Sequence, residues 1–422
     1  MNKSLYIVAF SLAFATTGIA QNNEGQDKVI DLGTQTTTEL RKTQAVSTIY
    51  SNELDKNAAT SPYNAIYGLL PGLSVMQNTS WGTDKSRLNV RGRGSLNGDT
   101  PLFVVDGFAR PLEYINLSEI ESISVLKDGA ATALWGGRGA NGVVLITTKR
   151  GIYSQKDIKV DYKFGLGFPV NQPEFADAYT YAKARNEALR YDGLQPDMDE
   201  ASFLSGGNSD LYPNVDWQKE ALRNHTTSHQ LDITFRGGGK RLRYFSVLNY
   251  KNDMGLLNSK YTDYTDRYNS QMKKYFLNLR MNLDVDITDA TKLKLSMLGM
   301  LRETKRPTTS EATLFEQIFN TPSAAFPVQT QNGFWGSNNV LKTNPIANLA
   351  DVGYYKLNQR MLQADLRLVQ DLSVLTRGLS AELAIAYDNN ATYQETAKKS
   401  FMYQTIEKGT DGEPIYTNYG NP

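Results

Sequence analysis

Apolar and polar residues alternate with a period of two over most of the chain beyond residue 151. The alternation is clearest in the segments 231–236, 242–250, 283–287, 292–297, 365–368 and 379–388. Successive side chains of a β-strand point to opposite faces, so this pattern predicts strands with one apolar and one charged face. We therefore expect antiparallel strands here, with a helix over 177–190 and mostly irregular chain over 305–354.

The stretch 100–151 has a different pattern, in which short apolar runs are separated by glycines. It predicts, in order, a buried strand over 102–105, a turn at Asp106 and Gly107, a strand over 120–127, a helix over 128–135, glycine bends over 136–142, and a strand over 143–148. Upstream, we expect partly helical segments over 52–59 and 61–70 and short strands over 73–76 and 87–91. This mixture predicts a small α+β domain.

The glycines of this domain formally match the dinucleotide fingerprint G-x-G-x-x-G, at Gly137, Gly139 and Gly142. That fingerprint needs a strand before the glycines and a helix after them, so that the helix N-terminus faces pyrophosphate. Here the predicted helix precedes the glycines and a strand follows. We therefore interpret them as backbone bends and predict no dinucleotide site.

The first 20 residues have the pattern of a secretory signal peptide. Lys3 is followed by an apolar core over 5–15, and Gly18, Ile19 and Ala20 supply small residues at the cleavage positions. The core is shorter than the roughly 20 residues of a membrane-spanning helix. The absence of a cysteine at the cleavage point argues against a lipid anchor. No later segment has the length of such a helix, so we expect any membrane insertion to use a β-barrel.

Composition excludes several classes of function. Lysine and arginine number 45 against 44 aspartates and glutamates, so no charge excess favours nucleic acid. No cysteine is present, which excludes disulfides and thiolate metal sites. Strands of about 10 residues and 24 tyrosines that could form interfacial girdles favour an outer-membrane barrel over a soluble sandwich.

Few residues suggest catalysis or metal binding. His225 and His229 share a face of one predicted strand, but no third ligand accompanies them. Asp284 and Asp286 also share a face and are explained more simply by contact with water. No nucleophile elbow, P-loop or H-E-x-x-H motif occurs. We predict no enzyme, no cofactor and no metal.

Two other groups could bind partners. Residues 29–32 form a small apolar island in a polar tail, which could add to the edge of a partner's sheet or simply begin the ordered domain. The cluster of Arg87, Arg91 and Arg93 could bind phosphate or carboxylate, although structural ion pairs are the commoner use of such arginines.

The segments PLFVVDG (101–107) and ESISVLKDGAATALWGGRGANGVVLITTKRG (121–151) resemble the plug domain of SusC/RagA-type TonB-linked outer-membrane transporters. RLNVRGRGS (87–95) resembles another plug signature, and segments over 28–54, 214–257 and 343–355 are similar to the flanking parts of the family. The resemblance implies a signal peptide over 1–20, a flexible tail with a TonB-box-like segment over 21–38, a plug over 39–151 and a partial barrel with long loops over 152–422.

The family's barrel has about 22 strands around the plug, whereas this sequence supplies about seven to ten. We therefore expect an α+β plug domain followed by antiparallel strands of an incomplete transmembrane β-barrel. An open barrel leaves two edges with unpaired backbone groups, which lipid does not tolerate, so the chain is expected to be the N-terminal part of a transporter or a truncated product.

The resemblance also implies a function: TonB-dependent import across the outer membrane of an oligosaccharide or peptide, with a SusD-like lipoprotein as lid. By position, Val29, Ile30, Asp31 and Leu32 take the role of the TonB box, although they depart from its usual valine-rich form. The residues that match the plug signature, or that we expect to hold the plug against the barrel wall, are Arg91, Arg93, Asp106, Gly107, Gly136, Arg138, Gly139 and Gly142. The alternative is a secreted β-rich binding or adhesion protein.

Overall fold

The computed structural model describes residues 8–12, 29–32, 36–38, 41–56, 59, 61–77, 86–95, 98–170, 172–262 and 269–420. Most of the predicted signal peptide lies outside these residues. Within the described residues, no helix is long and apolar enough to cross a membrane.

Strands make up most of the regular structure. In the first part of the chain they are β1 (Val8–Leu12), β2 (Val29–Asp31), β3 (Thr36–Thr38), β4 (Val46–Tyr50), β5 (Leu73–Met76), β6 (Arg87–Val90), β7 (Leu102–Val105), β8 (Phe108–Ala109), β9 (Ile120–Leu126) and β10 (Val143–Thr148). The second part contains β11 (Lys156–Gly167), β12 (Thr226–Gly238), β13 (Leu242–Met254), β14 (Lys273–Asp286), β15 (Thr291–Pro307), β16 (Trp335–Ser337), β17 (Gly353–Asp371), β18 (Ser380–Lys398), β19 (Tyr403–Lys408) and β20 (Pro414–Tyr419).

The helices are short and lie between the strands. They are α1 (Ser51–Leu54), α2 (Pro62–Ala65), α3 (Gly129–Thr132), α4 (Ala178–Tyr191), α5 (Glu200–Ser205), α6 (Trp217–Ala221), α7 (Ser259–Thr262), α8 (Glu311–Asn320) and α9 (Pro345–Ala350). Within the described ranges, 3₁₀ helices span Leu112–Tyr114, Leu117–Glu119 and Ala133–Gly139.

The first part is an α+β domain, as predicted, and we call it the plug. Its five-stranded sheet has the order β4-β9-β10-β7-β8, with β10 parallel to β7 and the other neighbours antiparallel. Burial of β9 and β10 in the middle of the sheet explains why their sequences are apolar runs. The largest core cluster is built around Ile49, Leu54, Ile66, Leu88, Leu112, Ile120, Ile123, Val125, Val144 and Ile146.

The predicted short helix is present as α3 and the 3₁₀ helix that follows it, and Gly136 and Gly142 make the predicted bends with positive φ. Asp128 caps α3 by accepting a hydrogen bond from the Ala131 amide at 2.8 Å, and it also accepts one from the Ala45 amide at 2.7 Å. These backbone hydrogen bonds, the one from Ala45 first, hold the pKa of the Asp128 carboxyl below its usual range. Gly142 has a φ of +89°, and a Cβ atom there would lie 2.8 Å from the Val90 side chain. Only glycine fits both the backbone and the space.

The second part forms a large antiparallel meander, and β1, whose residues 8–12 fall within the predicted signal peptide, pairs with β11 at one edge of it. The order is β1-β11-β12-β13-β14-β15-β17-β18, so every strand from β11 onward pairs with its neighbour in this sheet along the chain. The strands are longer than expected, reaching 19 residues in β17 and β18. One face of the sheet packs on the plug, and the other exposes apolar side chains. The sheet is not closed, consistent with the predicted partial barrel.

The connections differ between the two ends of this sheet. At one end three short turns join β12 to β13, β14 to β15, and β17 to β18, whereas the other end carries long connections such as 168–225 and 308–352. The prediction of mostly irregular chain over 305–354 is wrong in part, because α8 and α9 form there. They pack with α6 and α7 on a separate apolar core that includes Trp217, Phe326 and Trp335.

Replacement of Gly142 by alanine tests how closely the plug is packed. We expect Gly142→Ala to reduce the stability of the plug by roughly 1–3 kcal/mol, because alanine would meet Val90 in a left-handed backbone conformation. Hydrogen exchange of the β9 and β10 amides in the intact protein measures this change. Gly137→Ala is the matched control, since its Cβ would meet open space. Equal exchange in both variants would contradict the packing argument.

Candidate functional site

The contact between the plug and the sheet is the candidate functional site, and its centre is polar. We call the large sheet the wall. Arg110 follows β8 and is buried against this wall. Its Nη1 and Nη2 atoms donate to the Asp365 carboxylate of β17 at 2.6 and 2.5 Å. Its Nε and Nη2 atoms donate to Asp388 of β18, at 3.1 and 2.6 Å. A guanidinium that donates to two carboxylates is held in one orientation by its hydrogen bonds and is also attracted by their charges.

The environment keeps Arg110 charged. Burial lowers the pKa of this guanidinium, but the hydrogen bonds and the negative charges of Asp365 and Asp388 outweigh burial, so the pKa is raised above its usual value. The plug therefore carries a positive charge that Asp365 and Asp388 of the sheet neutralise.

A second buried ion pair joins the plug to β14. Glu119 lies at the end of a 3₁₀ helix that Asn116 caps, and its carboxylate pairs with Arg280 and accepts a hydrogen bond from Asn278. Both side chains are almost fully buried. Burial raises the pKa of the Glu119 carboxyl, and the charge of Arg280 opposes that rise. The pair is thus a specific contact between one point of the plug and one point of the wall.

The covalent junction between plug and sheet is also fastened by polar contacts. Arg150 donates to Asp284 at 2.6 Å and to the Ser296 hydroxyl at 2.8 Å. The Asn282 amide donates to the Lys149 carbonyl at 2.7 Å. Because these contacts lie next to the point where the plug continues into β11, they fix the direction in which the chain enters the sheet.

The turn after β7 also touches the wall. The Asp106 carboxylate accepts hydrogen bonds from the Thr148 amide at 3.0 Å and the Thr148 hydroxyl at 2.6 Å, which closes the turn. Its backbone carbonyl accepts a hydrogen bond from Arg367 of β17 at 2.8 Å. A Cβ atom on Gly107 would lie 2.9 Å from Nη2 of Arg367, so glycine leaves room for this arginine.

A charged cleft separates the plug from the first strands of the sheet. Its volume is about 250 Å³, and its lining includes Asp55, Asn116, Lys149, Lys159, Asp232 and Arg236. Burial lowers the pKa of Lys149. The plug is latched to β14, β17 and β18 by direct contacts, and beside the cleft Arg236 of β12 donates to Glu121 of the plug at 3.3 Å.

The predicted TonB-box segment is docked on the plug. Val29–Asp31 pairs antiparallel with Thr36–Thr38 in a small hairpin. Ile30 and Leu32 are buried in an apolar cluster with Val104, Leu126, Val143 and Leu145 of the plug sheet. The apolar island therefore fills a plug surface in this structure.

Comparisons with known proteins agree with this arrangement. The family profile of the TonB-dependent Receptor Plug Domain matches residues 38–143. The chain is 29% identical over 283 residues to the TonB-dependent receptor SusC of Bacteroides thetaiotaomicron, covering 63% of this chain and 26% of SusC. It is 28% identical over 281 residues to the TonB-dependent receptor P26 of Formosa agariphila, covering 65% of this chain and 26% of that receptor. Residues 38–143 are thus a TonB-dependent receptor plug domain, and the chain is similar to the SusC/RagA-like TonB-dependent receptors.

Solved structures support the same fold for this receptor chain. The RagAB peptide importer in its open-open state aligns with a TM-score of 0.69 at 20% identity, covering 89% of this chain and 43% of that chain. In its closed-closed state the TM-score is 0.66 at 19% identity, with 85% and 42% covered. The chain spans about a quarter of the length of the curated relatives it matches. Such receptors are proteins of the outer membrane, which gives the location of this chain.

The structure divides the predicted plug residues into three groups. Asp106 and Gly107 lie against the wall, as described. Gly136, Gly139 and Gly142 shape the backbone within the plug. Arg91 and Arg138 are exposed on the plug surface, and Arg93 pairs with Asp99 at 3.4 Å. In the described part of the chain, none of these three arginines forms a hydrogen bond or ion pair with the sheet.

In the predicted anion site, Asp99 forms ion pairs with Arg87 and Arg93. Arg87 donates to its two carboxylate oxygens at 3.0 and 2.9 Å, and this contact, first among several, holds the pKa of the Asp99 carboxyl below its usual range. The structural ion pair is thus the arrangement seen at Arg87 and Arg93. Arg91 has a φ of 57°, in the left-handed region that favours glycine, and its amide donates to the Gly72 carbonyl at 2.8 Å.

His225 and His229 pack beside aromatic side chains. The Tyr162 hydroxyl lies 2.8 Å from Nδ1 of His229, and the His225 ring lies 6.2 Å from the Phe168 ring. Among the described residues, no group of three histidine, aspartate or glutamate side chains is arranged to hold a metal ion.

The residues that fasten the plug most firmly were not recognised in the sequence. Arg110, Glu119 and Arg280 are ordinary charged residues at their own positions. The available signal was local: Arg110 follows the buried β7–β8 hairpin, and Arg280 lies on the polar side of an alternating strand. Their partners are more than 150 positions away along the chain, so only the fold brings them together.

Removal of the Arg110 guanidinium tests how much its ion pairs with Asp365 and Asp388, which we call the latch, hold the plug. We expect Arg110→Met to weaken the attachment of the plug by about 3 kcal/mol, because Asp365 and Asp388 would lose their cation and Asp365 is buried. Urea titration of the intact protein, with hydrogen exchange of the β9 and β10 amides as readout, measures plug release. Arg138→Met is the control, since Arg138 is exposed. A shared midpoint for both variants would show that the latch contributes nothing.

Proposed function

We propose that this chain supplies the plug and adjoining barrel strands of a TonB-dependent outer-membrane importer of a nutrient polymer fragment, either an oligosaccharide or a peptide. The observation that carries the proposal is the polar plug–wall contact. A buried ion pair loses much of its attraction to desolvation, so its net contribution is small although its geometry is specific. Polar groups can also be taken up by water when they separate. Such a contact suits a plug that must leave its seat and return.

The N-terminal segment is proposed as the point where TonB pulls. Val29–Asp31 is already an extended strand, and a second strand adds to such a segment through main-chain hydrogen bonds that resist pulling. Ile30 and Leu32 are buried on the plug, so TonB must displace them before it binds. The segment and the plug sheet share one apolar cluster, and force on the former is therefore transmitted to the latter.

A SusD-like surface lipoprotein is proposed as the lid, on the family resemblance. The long connections form a folded platform with its own apolar core, which includes Trp217, Phe326 and Trp335. A platform of this kind offers a partner a constant surface over one end of the sheet. The structurally similar RagAB is described as a peptide importer, and this supports a peptide as one of the two substrate classes.

Deletion of residues 29–32 from the intact protein tests the proposed TonB contact. We expect uptake of the cognate nutrient to fall to the level of a strain without TonB, while ligand binding to purified protein is retained. Ile30→Pro, which removes a main-chain donor without shortening the tail, should act in the same direction. Deletion of residues 24–27 is the matched control. Normal uptake by the 29–32 deletion, with equal protein in the outer membrane, would refute this role.

A further inference from the structure

The face of the large sheet that points away from the plug carries an apolar band. On β14 the outward residues Leu277, Leu279 and Met281 are 39%, 44% and 51% exposed. Exposed apolar patches of this extent are unusual on soluble proteins. In an outer-membrane receptor they face lipid, and the outward positions of β15 and β17 continue the band with Met297, Leu301, Leu362 and Leu366.

A row of three lysines crosses the same face. Lys273 of β14 lies directly opposite Lys305 of β15, and Lys305 lies directly opposite Lys356 of β17. Residues at even spacing along a strand share a face, so Lys273 points to the same side as Leu277, and Lys305 to the same side as Leu301. Like charges directly opposite each other destabilise a sheet. The row therefore needs a compensating anion.

The protein supplies only part of that compensation. Glu303 contacts Lys305 at 3.1 Å and Lys356 at 3.3 Å. Glu395 lies opposite Lys356, but its carboxylate accepts the hydrogen bond of the Tyr354 hydroxyl. Within the described residues, Lys273 has no acidic side chain within ion-pair distance. Two carboxylates thus face three lysines, which leaves positive charge on this surface.

The row lies at the level of lipid headgroups. Lys273 is four residues from Leu277, or roughly 13 Å along the strand, and Tyr275 lies between them on the same face. Aromatic residues mark the boundary of the apolar band in outer-membrane barrels. Lysine side chains at such a boundary extend their ammonium groups away from the hydrocarbon. The three ammonium groups can therefore reach the polar layer of the membrane.

The lysines are at the end of the sheet that carries the long connections, which is the extracellular end of such barrels. At the other end of β14, β15 and β17, the outward positions are uncharged, as in Val285, Leu293 and Leu368. This asymmetry in the three strands indicates a ligand of the outer leaflet and not of both leaflets.

We propose that Lys273, Lys305 and Lys356 form a binding site for the phosphate groups of a phosphorylated glycolipid in the outer leaflet. Phosphate is a compact anion with several acceptor oxygens, which three neighbouring ammonium groups can share. The apolar band directly below the row provides the surface on which the acyl chains of the same lipid lie. The site rests on the outer-membrane location of the chain and not on the proposed import, so failure of the TonB-box test leaves it unaffected.

Lipid binding by the intact purified protein tests the site. The probes are phosphatidylcholine vesicles containing lipid A with both phosphates, and vesicles containing the same lipid with its phosphates removed. We expect about tenfold tighter binding to the phosphorylated lipid, and loss of this preference in the combined variant Lys273→Gln, Lys305→Gln and Lys356→Gln. The corresponding lysine-to-arginine variant should keep the preference, because the charge is retained.

Two controls keep the experiment decisive. Lys183, Lys219 and Lys342 are exposed in the long connections, and their combined replacement by glutamine should leave the preference unchanged. Lys273→Gln alone, which breaks no ion pair of the described residues, should weaken binding of the phosphorylated lipid without affecting folding. Equal binding of both lipids by the natural sequence would overturn the proposal. Displacement of the lipid by an equal concentration of inorganic phosphate would overturn it as well, by showing a site for free anions.

Discussion

The buried charge of Arg110 is the constraint on which the rest of the structure depends. A guanidinium in this position requires both Asp365 and Asp388, and these residues lie on neighbouring strands near the end of the sheet. The plug can satisfy this requirement in one orientation only. Glu119 with Arg280, and Arg150 with Asp284, fasten the plug at two further points. Because three separate points define the position of a rigid body, these ion pairs set how the plug sits on the wall.

The strands of the wall must suit two environments at once. Their inward positions carry amides, carboxylates and guanidinium groups that bind the plug, and their outward positions are mostly apolar and face lipid, with Arg360 of β17 as a charged exception. A period of two is the only pattern that can supply both faces from one strand. At the extracellular end the outward positions change from apolar to basic, at Lys273, Lys305 and Lys356. Each of these strands therefore has polar residues toward the plug, apolar residues toward the hydrocarbon and a lysine at the extracellular end.

Prediction from sequence succeeded where local pattern decides structure. The short apolar runs at β7, β9 and β10, the cap at Asp128 and the bend at Gly142 follow from backbone preferences and burial of neighbouring residues. Prediction was weaker for the long connections, where α8 and α9 form on a core assembled from distant segments. It also expected Arg91, Arg93 and Arg138 to hold the plug, on the family resemblance and on their basic character, and this stays a prediction. Their charge was visible in the sequence, but the direction in which they point was not.

The sequence by itself determined the long alternating strands, the position of the plug and the division of the sheet into an apolar and a charged face. These features depend on residues that are close along the chain, and alternation or a glycine is enough to specify them. Only the tertiary structure decided which charges meet. Arg110 and Asp388 are 278 positions apart, and the lysine row exists only because β14, β15 and β17 pair in one register. A contact between strands depends on that register, and a shift by one residue would turn every one of these side chains to the other face.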